Sequence, residues 1–314
     1  MKVLVTGAAG FIGGQLMHAL WKNGHTAIGV DNYSYGSADN LHFDDHDFSA
    51  DVIKMDIRDK ESMKALFEQE KFDIVYNIAG IAPLPDCQSD PVEAVSVNTL
   101  GLVNVLENAR RTGVKHVIQA STNAMYENET EFPTVESKFN PPTLIYPNTK
   151  YCGERFAQSF ADTYGMTVTF LRFANVYGER AEVGGEGGVI NVFAKRAARD
   201  MDITVYGDGS QSRDYIYVGD IANGIVCALT TEQADEVYHL STGRESSLLD
   251  VLAELRRASG KELTPNFART RSGDIYRSVL SNEKARRLLG WEPYMKLKDG
   301  IILTYQYAAG QGGR

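Results

Sequence analysis

Two sets of residues, far apart in the chain, have the types and spacing needed to move a hydride. The first is Gly7-Ala8-Ala9-Gly10-Phe11-Ile12-Gly13, which directly follows the apolar run Lys2-Val3-Leu4-Val5-Thr6. Gly7 permits a tight turn, Gly10 lets the backbone approach a pyrophosphate, and Gly13 lets a new helix pack closely on the strand. Free amides at that helix start face the phosphates of a dinucleotide. The second set is Tyr146-Pro147-Asn148-Thr149-Lys150. Its phenol and ammonium stand at i and i+4, on one face of a helix.

A free tyrosine titrates near 10, so it is a poor base at neutral pH. A neighbouring ammonium and a cationic nicotinamide ring both favour phenolate. Tyr146 then becomes a general base for an alcohol hydroxyl, and Lys150 also reaches the nicotinamide ribose. Asp31 ends the next apolar run, Thr26-Ala27-Ile28-Gly29-Val30. A carboxylate there accepts from both adenosine ribose hydroxyls and repels a 2′-phosphate, which favours NAD over NADP. Asp56, after Val52-Ile53-Lys54-Met55, stands within reach of the adenine or in a surface loop. Thr122 follows His116-Val117-Ile118-Gln119-Ala120-Ser121. A hydroxyl at the carboxyl end of a central strand points into the ligand crevice, or caps the turn that follows.

Alternating elements must hold these groups in place. Strand-like runs are expected at 2–6, 26–30, 52–55, 73–79, 115–120 and 167–171, with helices at 11–23, 60–70, 92–112 and 146–164. Near-continuous Val, Ile and Ala suits strands buried on both faces. The alternation predicts an α/β fold, a Rossmann-like doubly wound parallel sheet. Beyond residue 175 the rhythm changes: Gly184-Gly185-Glu186-Gly187-Gly188, then helices near 189–199, 220–229, 247–258, 282–289 and 299–309. A short strand is expected at 203–206, and Val237–Leu240 reads as a strand returning to the main sheet. Residues 1–174, with a returning segment near 215–258, are expected to bind the dinucleotide. Residues 175–214 and 259–314 form a smaller interleaved C-terminal α/β substrate domain.

The composition of the 314 residues, 43% hydrophobic and 23% charged, is that of an ordinary globule. A net charge of -9 argues against nucleic-acid or membrane-surface partners. A strand starting at residue 2 leaves no room for a signal peptide. Cys87, Cys152 and Cys227 lack metal spacing and suit a reducing, cytoplasmic compartment. No His pair has ligand spacing, so no metal is expected.

These motifs together resemble the extended short-chain dehydrogenase/reductase family of nucleotide-sugar epimerases and dehydratases. The similarity runs on through Asp31-Asn32-Tyr33-Ser34-Tyr35-Gly36, Leu171-Arg172-Phe173-Ala174-Asn175-Val176-Tyr177-Gly178 and Tyr206-Gly207-Asp208-Gly209-Ser210-Gln211-Ser212-Arg213-Asp214-Tyr215. It ends at Arg271-Ser272-Gly273-Asp274 and Leu289-Gly290-Trp291-Glu292-Pro293. The resemblance implies tightly held NAD, a nucleotide diphosphate sugar and a homodimer formed through the helices at 92–112 and 146–164. It implies catalytic roles for Thr122, Tyr146 and Lys150. Cofactor contacts are implied for Phe11, Ile12, Asn32, Ile57 and Ala79, beside the glycines, Asp31 and Asp56. Asn175, Arg213 and Arg271 take diphosphate positions, and Asp274 lies near the nucleotide ribose. Ser278 falls where these epimerases gate the sugar pocket; a small residue there leaves room for a 2-acetamido group.

All these enzymes first oxidise the sugar at C4. A 4,6-dehydratase then needs an Asp-Glu pair after the catalytic Thr, but here those positions are Asn123 and Ala124. A 4-epimerase needs no such pair, so a UDP-hexose or UDP-N-acetylhexosamine 4-epimerase is expected. The alternatives are a dehydratase, decarboxylase or oxidoreductase sharing the first step, or a non-catalytic sugar-nucleotide binder. The chain departs from the family at Met125-Tyr126-Glu127, where Val-Tyr-Gly is usual, at Asn77-Ile78-Ala79-Gly80, where His-Leu-Ala-Ala is usual, and in an unusual loop at Pro83-Leu84-Pro85-Asp86-Cys87 near the expected sugar pocket. Cys87 is either an acid for a different elimination or a buried structural thiol.

Overall fold

A computed structural model describes residues 1–181, 188–229, 236–270 and 275–311. Seven strands form its main sheet: β1 (Lys2–Thr6), β2 (Thr26–Asp31), β3 (Val52–Lys54), β4 (Ile74–Asn77), β5 (His116–Thr122), β6 (Thr167–Phe173) and β7 (Val237–Leu240). Their order is β7-β6-β5-β4-β1-β2-β3, and every pairing is parallel. The chain order reverses between β1 and β4, which opens a crevice at the carboxyl ends of those strands. β5 is buried along its whole length, as a central strand covered on both faces must be.

Alternation along β1 sends Val3 and Val5 to one face and Leu4 to the other. The first face packs on Leu16, Met17 and Leu20 of α1 (Phe11–Lys22). The second packs on Leu66 and Phe67 of α2 (Lys60–Glu70). Two short helices, α3 (Leu84–Ser89) and α4 (Pro91–Val95), precede a π-helical segment at Ser96–Gly101 that leads into α5 (Leu102–Thr112). The helix expected at 92–112 is therefore continuous but not uniformly α, and the loop expected at 83–87 is largely helix. α6 (Ile145–Tyr164) lies against α5 so closely that a Cβ on Gly153 would stand 3.0 Å from Leu102 Cδ2.

A third core cluster joins α7 (Gly188–Ala198), α9 (Leu248–Ser259) and α11 (Leu297–Gln311) through Phe193, Val251, Leu252 and Ile301. By contrast α8 (Val218–Cys227) packs Ile221 and Ile225 on the main sheet. The apolar stripe of α9 faces the third cluster. Between these bodies, Ser212–Arg213 pairs with Ser246–Ser247 on one side and Arg277–Ser278 on the other. α10 (Glu283–Leu289) follows. No helix among the described residues is long and apolar enough to cross a membrane.

Candidate active site

The turn after β1 has the close contacts its glycines predict. Gly7 has φ +70°, and a Cβ there would lie 2.8 Å from the Ala79 amide nitrogen. A Cβ on Gly13 would run into the Gly7 carbonyl. Gly10 caps α1 without a side chain, so backbone donors at the helix start are left for an anion. A cavity of ≈ 240 Å³ lies above this turn. Its wall includes Gly7, Gly10, Phe11, Ile12 and Gly13, then Asp31, Asn32, Asp56 and Ile57, and then Ala79, Thr122, Tyr146 and Lys150. A cavity with helix-start amides and a buried acid in its wall fits a dinucleotide.

Asp31 is buried, and its oxygens accept from the Ala9 and Tyr33 amides at 2.9 and 2.7 Å. Burial raises its pKa, and those backbone bonds oppose the rise. Asp56 is clamped by Arg58, whose Nε and Nη2 donate at 2.9 and 2.7 Å, and by Asn32 Nδ2 at 2.9 Å. The Arg58 bonds hold its carboxyl at about 2. Asp56 is thus an ion-paired wall of the groove, not a free surface acid.

In the same cavity wall the Thr122 hydroxyl acts on the Tyr146 phenol, tending to lower its pKa. Thr122 Oγ1 accepts from the Ala124 amide at 3.1 Å and so caps the turn that follows β5. Lys150 is buried, and its Nζ donates to the Ala120 carbonyl at 3.4 Å. Burial pushes the Tyr146 phenol up to about 12 and the Lys150 ammonium down to about 8. Desolvation dominates both groups in the cofactor-free protein.

Two residues that sequence reasoning did not select hold this pair. Asn98, in the π-helical segment, donates from Nδ2 to Ile81 O and to Thr149 Oγ1, both at 2.9 Å, and accepts from Ile81 N at 2.7 Å. It locks the loop after β4 to the turn of α6 that carries Lys150. A π segment inside an α-helix is itself a signal of a functional position. Glu127 Oε1 accepts from Thr143 Oγ1 at 2.7 Å and from the Leu144 amide at 3.2 Å. Leu144 gives α6 no side-chain cap, so Glu127 caps the catalytic helix from the end of β5. Cys87 donates its thiol to the Ile81 carbonyl at 3.4 Å, and burial pushes it up to about 11.

On the substrate side, Asn175 Nδ2 and Arg213 Nη1 make backbone contacts, to Asp214 O at 3.3 Å and Tyr276 O at 3.1 Å. Ser278 is buried, and its Oγ accepts from Asn123 Nδ2 at 3.1 Å. The residue after Thr122 thereby touches the expected gate position. Arg271 and Asp274 lie outside the described residues.

A family model described as "NAD dependent epimerase/dehydratase family" matches residues 3–241. A UDP-glucose 4-epimerase of Mycolicibacterium smegmatis is 32% identical over 308 residues, covering 98% of each chain. The crystal structure of a Thermotoga maritima UDP-glucose 4-epimerase with UDP-glucose superposes with a TM-score of 0.93 at 34% identity, covering 99% of each chain. A Thermus thermophilus UDP-glucose 4-epimerase in complex with NAD gives a TM-score of 0.90 at 33% identity, again over 99% of each chain.

Proposed function

The chain belongs to the NAD dependent epimerase/dehydratase family, and within it we propose a nucleotide-sugar 4-epimerase acting on a UDP-hexose or UDP-N-acetylhexosamine. One observation carries the reading. Thr122, Tyr146 and Lys150 line the same cavity as the glycine turn, while the two residues after Thr122, Asn123 and Ala124, supply no acid-base pair. Tyr146 takes the proton of the sugar 4-hydroxyl, and Thr122 orients that hydroxyl and the phenol. Lys150 holds its ammonium behind the phenol, toward the cofactor ribose. NAD, held by the Gly7–Gly13 turn and Asp31, would supply reversible hydride exchange at the sugar C4. Tyr146 then gives its proton back, so the protein ends the cycle unchanged. Asn175, Arg213 and Arg271 are assigned to the diphosphate, whose oxygens suit guanidinium forks, and Asp274 to the nucleotide ribose. Residues 175–214 and 259–314 are assigned as the sugar-nucleotide side.

Product NMR on a panel of UDP-, GDP- and dTDP-sugars, with no added cofactor, tests the reading. Interconversion at C4 supports it. Release of carbon dioxide or net NADH would move the chain to an oxidative relative. Ser278 supports acetamido sugars: it is small, buried and aimed at Asn123. Acetylated UDP-hexosamines are expected to match or exceed the unacetylated pair in kcat/KM, and Ser278→Tyr is expected to reverse the preference. A homodimer through α4–α5 and α6 also belongs to this reading. Val92, Val95 and Leu100 on one side, with Phe156 and Tyr164 on the other, are large apolar side chains left exposed. A monomer by light scattering across the micromolar range would reject it.

A further inference from the structure

The sheet order places β1 between β2 and β4. Any dinucleotide on the Gly7–Gly13 turn must therefore lie between the loop after β2 and the segment after β4. One side chain spans that gap. Tyr35, from the β2 loop, reaches over to pack against the cluster of Ile81, Cys87 and Ala94, which Tyr146 also joins. Its phenol donates to Asp86 Oδ2 on α3 at 2.7 Å, across 51 positions of sequence. Tyr35 also lines the groove.

Both ends of this bridge are anchored. On the β2 side, Ser37 N donates to Ala9 O at 2.9 Å and Tyr33 N to Asp31 Oδ1 at 2.7 Å. A Cβ on Gly36 would stand 2.9 Å from that same Asp31 oxygen, so the loop sits directly on the cofactor turn. On the β4 side, Cys87 N donates to Pro83 O at 3.1 Å, and Asn98 grips Ile81 at both backbone atoms. The phenol–carboxylate bond joins two fixed walls. A hydrogen bond to a charged acceptor is among the stronger ones available to such a join.

We propose that Tyr35 and Asp86 form a strap that closes over bound NAD and retains it, in reduced form too, while the sugar turns. Neither residue meets the reacting atoms; both are positioning residues for the cofactor. The need for a strap rests on the epimerase reading, because one cofactor molecule must serve both half-reactions. An enzyme that lost NADH between them would be left without a hydride for its 4-keto intermediate. Retention itself is measured without any sugar.

The test uses holoprotein loaded with radiolabelled NAD, separated from free label, and chased with excess unlabelled NAD. Tyr35→Phe and Asp86→Asn, both nearly isosteric, are each expected to release label about tenfold faster than wild type. The double variant should be no faster than either single one, because both remove the same bond. Cofactor-stripped Tyr35→Phe should melt with stripped wild type, which separates a strap from a general loss of stability. Unchanged release in both single variants overturns the strap, as does a stripped Tyr35→Phe whose Tm falls in proportion to its faster release. If the variants shed label but no sugar epimerises, the strap stands and the reaction reading falls. If sugars epimerise and release is unchanged, the reverse holds.

Discussion

Lys150 and Glu154 sit one turn apart on α6, both buried, and their surroundings differ completely. Glu154 accepts two hydrogen bonds from Arg172, at 3.0 and 2.6 Å. Arg172 also donates to the Tyr126 hydroxyl, which pairs with His239 Nε2 at 2.8 Å. His239 Nδ1 in turn meets Ser281 O at 3.1 Å. Burial takes that imidazole down to about 3, so it stays neutral within the network. Lys150 has one long bond to a carbonyl, at 3.4 Å. A saturated polar cluster fixes structure, whereas an ammonium left short of acceptors in a cavity wall waits for a ligand. Residues four apart on one helix thus divide scaffold from chemistry.

The largest expected effect lies on the chemical side. Tyr146→Phe should lower kcat by roughly 100-fold to 10,000-fold, with NAD content and thermal melting near wild type. Turnover within a factor of a few of wild type, in a folded variant, would remove Tyr146 from the mechanism. On the scaffold side, Glu154→Leu strands the Arg172 charge and should cost about 3–5 kcal/mol of stability. Pairing it with Arg172→Met should restore most of that. A double variant as unstable as the single one would mean the network is held by something other than the ion pair.

A smaller effect, of opposite sign, is expected for Lys150→Met. Burial lowers the Lys150 pKa from 10.5 to about 8. Between those values the unfolded chain binds more protons, so stability rises with pH. Below about pH 8 the buried charge carries its full cost. The substitution should therefore stabilise cofactor-free protein at pH 7, by up to about 3 kcal/mol, while abolishing turnover. The gain should fade toward pH 10.5 in thermal melts. A loss of stability at pH 7 would show that the ammonium is satisfied after all. Smallest is Glu127→Ala, which removes the cap of α6 and should cost about 1 kcal/mol. Turnover should fall with little change in KM, since the α6 start holds Tyr146.

The parts of this machine that repeat along the chain were legible in its sequence. Gly7, Gly10 and Gly13 after an apolar run specify a turn that only glycines can make, and the buried strands declare themselves by continuous Val and Ile. Ser278 was reached by counting along a resemblance, and its contact with Asn123 places it beside Thr122. Single polar residues whose partners are distant in sequence were not legible. Asn98 belongs to no motif, and its partners Ile81 and Thr149 stand 17 and 51 positions away. Glu127 reads as a departure from a glycine, and its partners stand 16 and 17 positions away. Pro83-Leu84-Pro85 reads as a loop, but prolines in the first turn start helices as readily as they end them, and α3 begins there. The burial that raises the Tyr146 phenol was not legible either, because it depends on the neighbours the fold brings around it.

The π segment at Ser96–Gly101 also bears on how this gene can change length. Its i→i+5 hydrogen bonds accommodate one residue more than an α turn would. Leu102, Val105, Leu106 and Ala109 face the sheet beyond it. A one-codon deletion confined to this stretch would draw it back to α geometry, so α5 would keep its buried side. What would be lost is the wider turn from which Asn98 reaches Ile81.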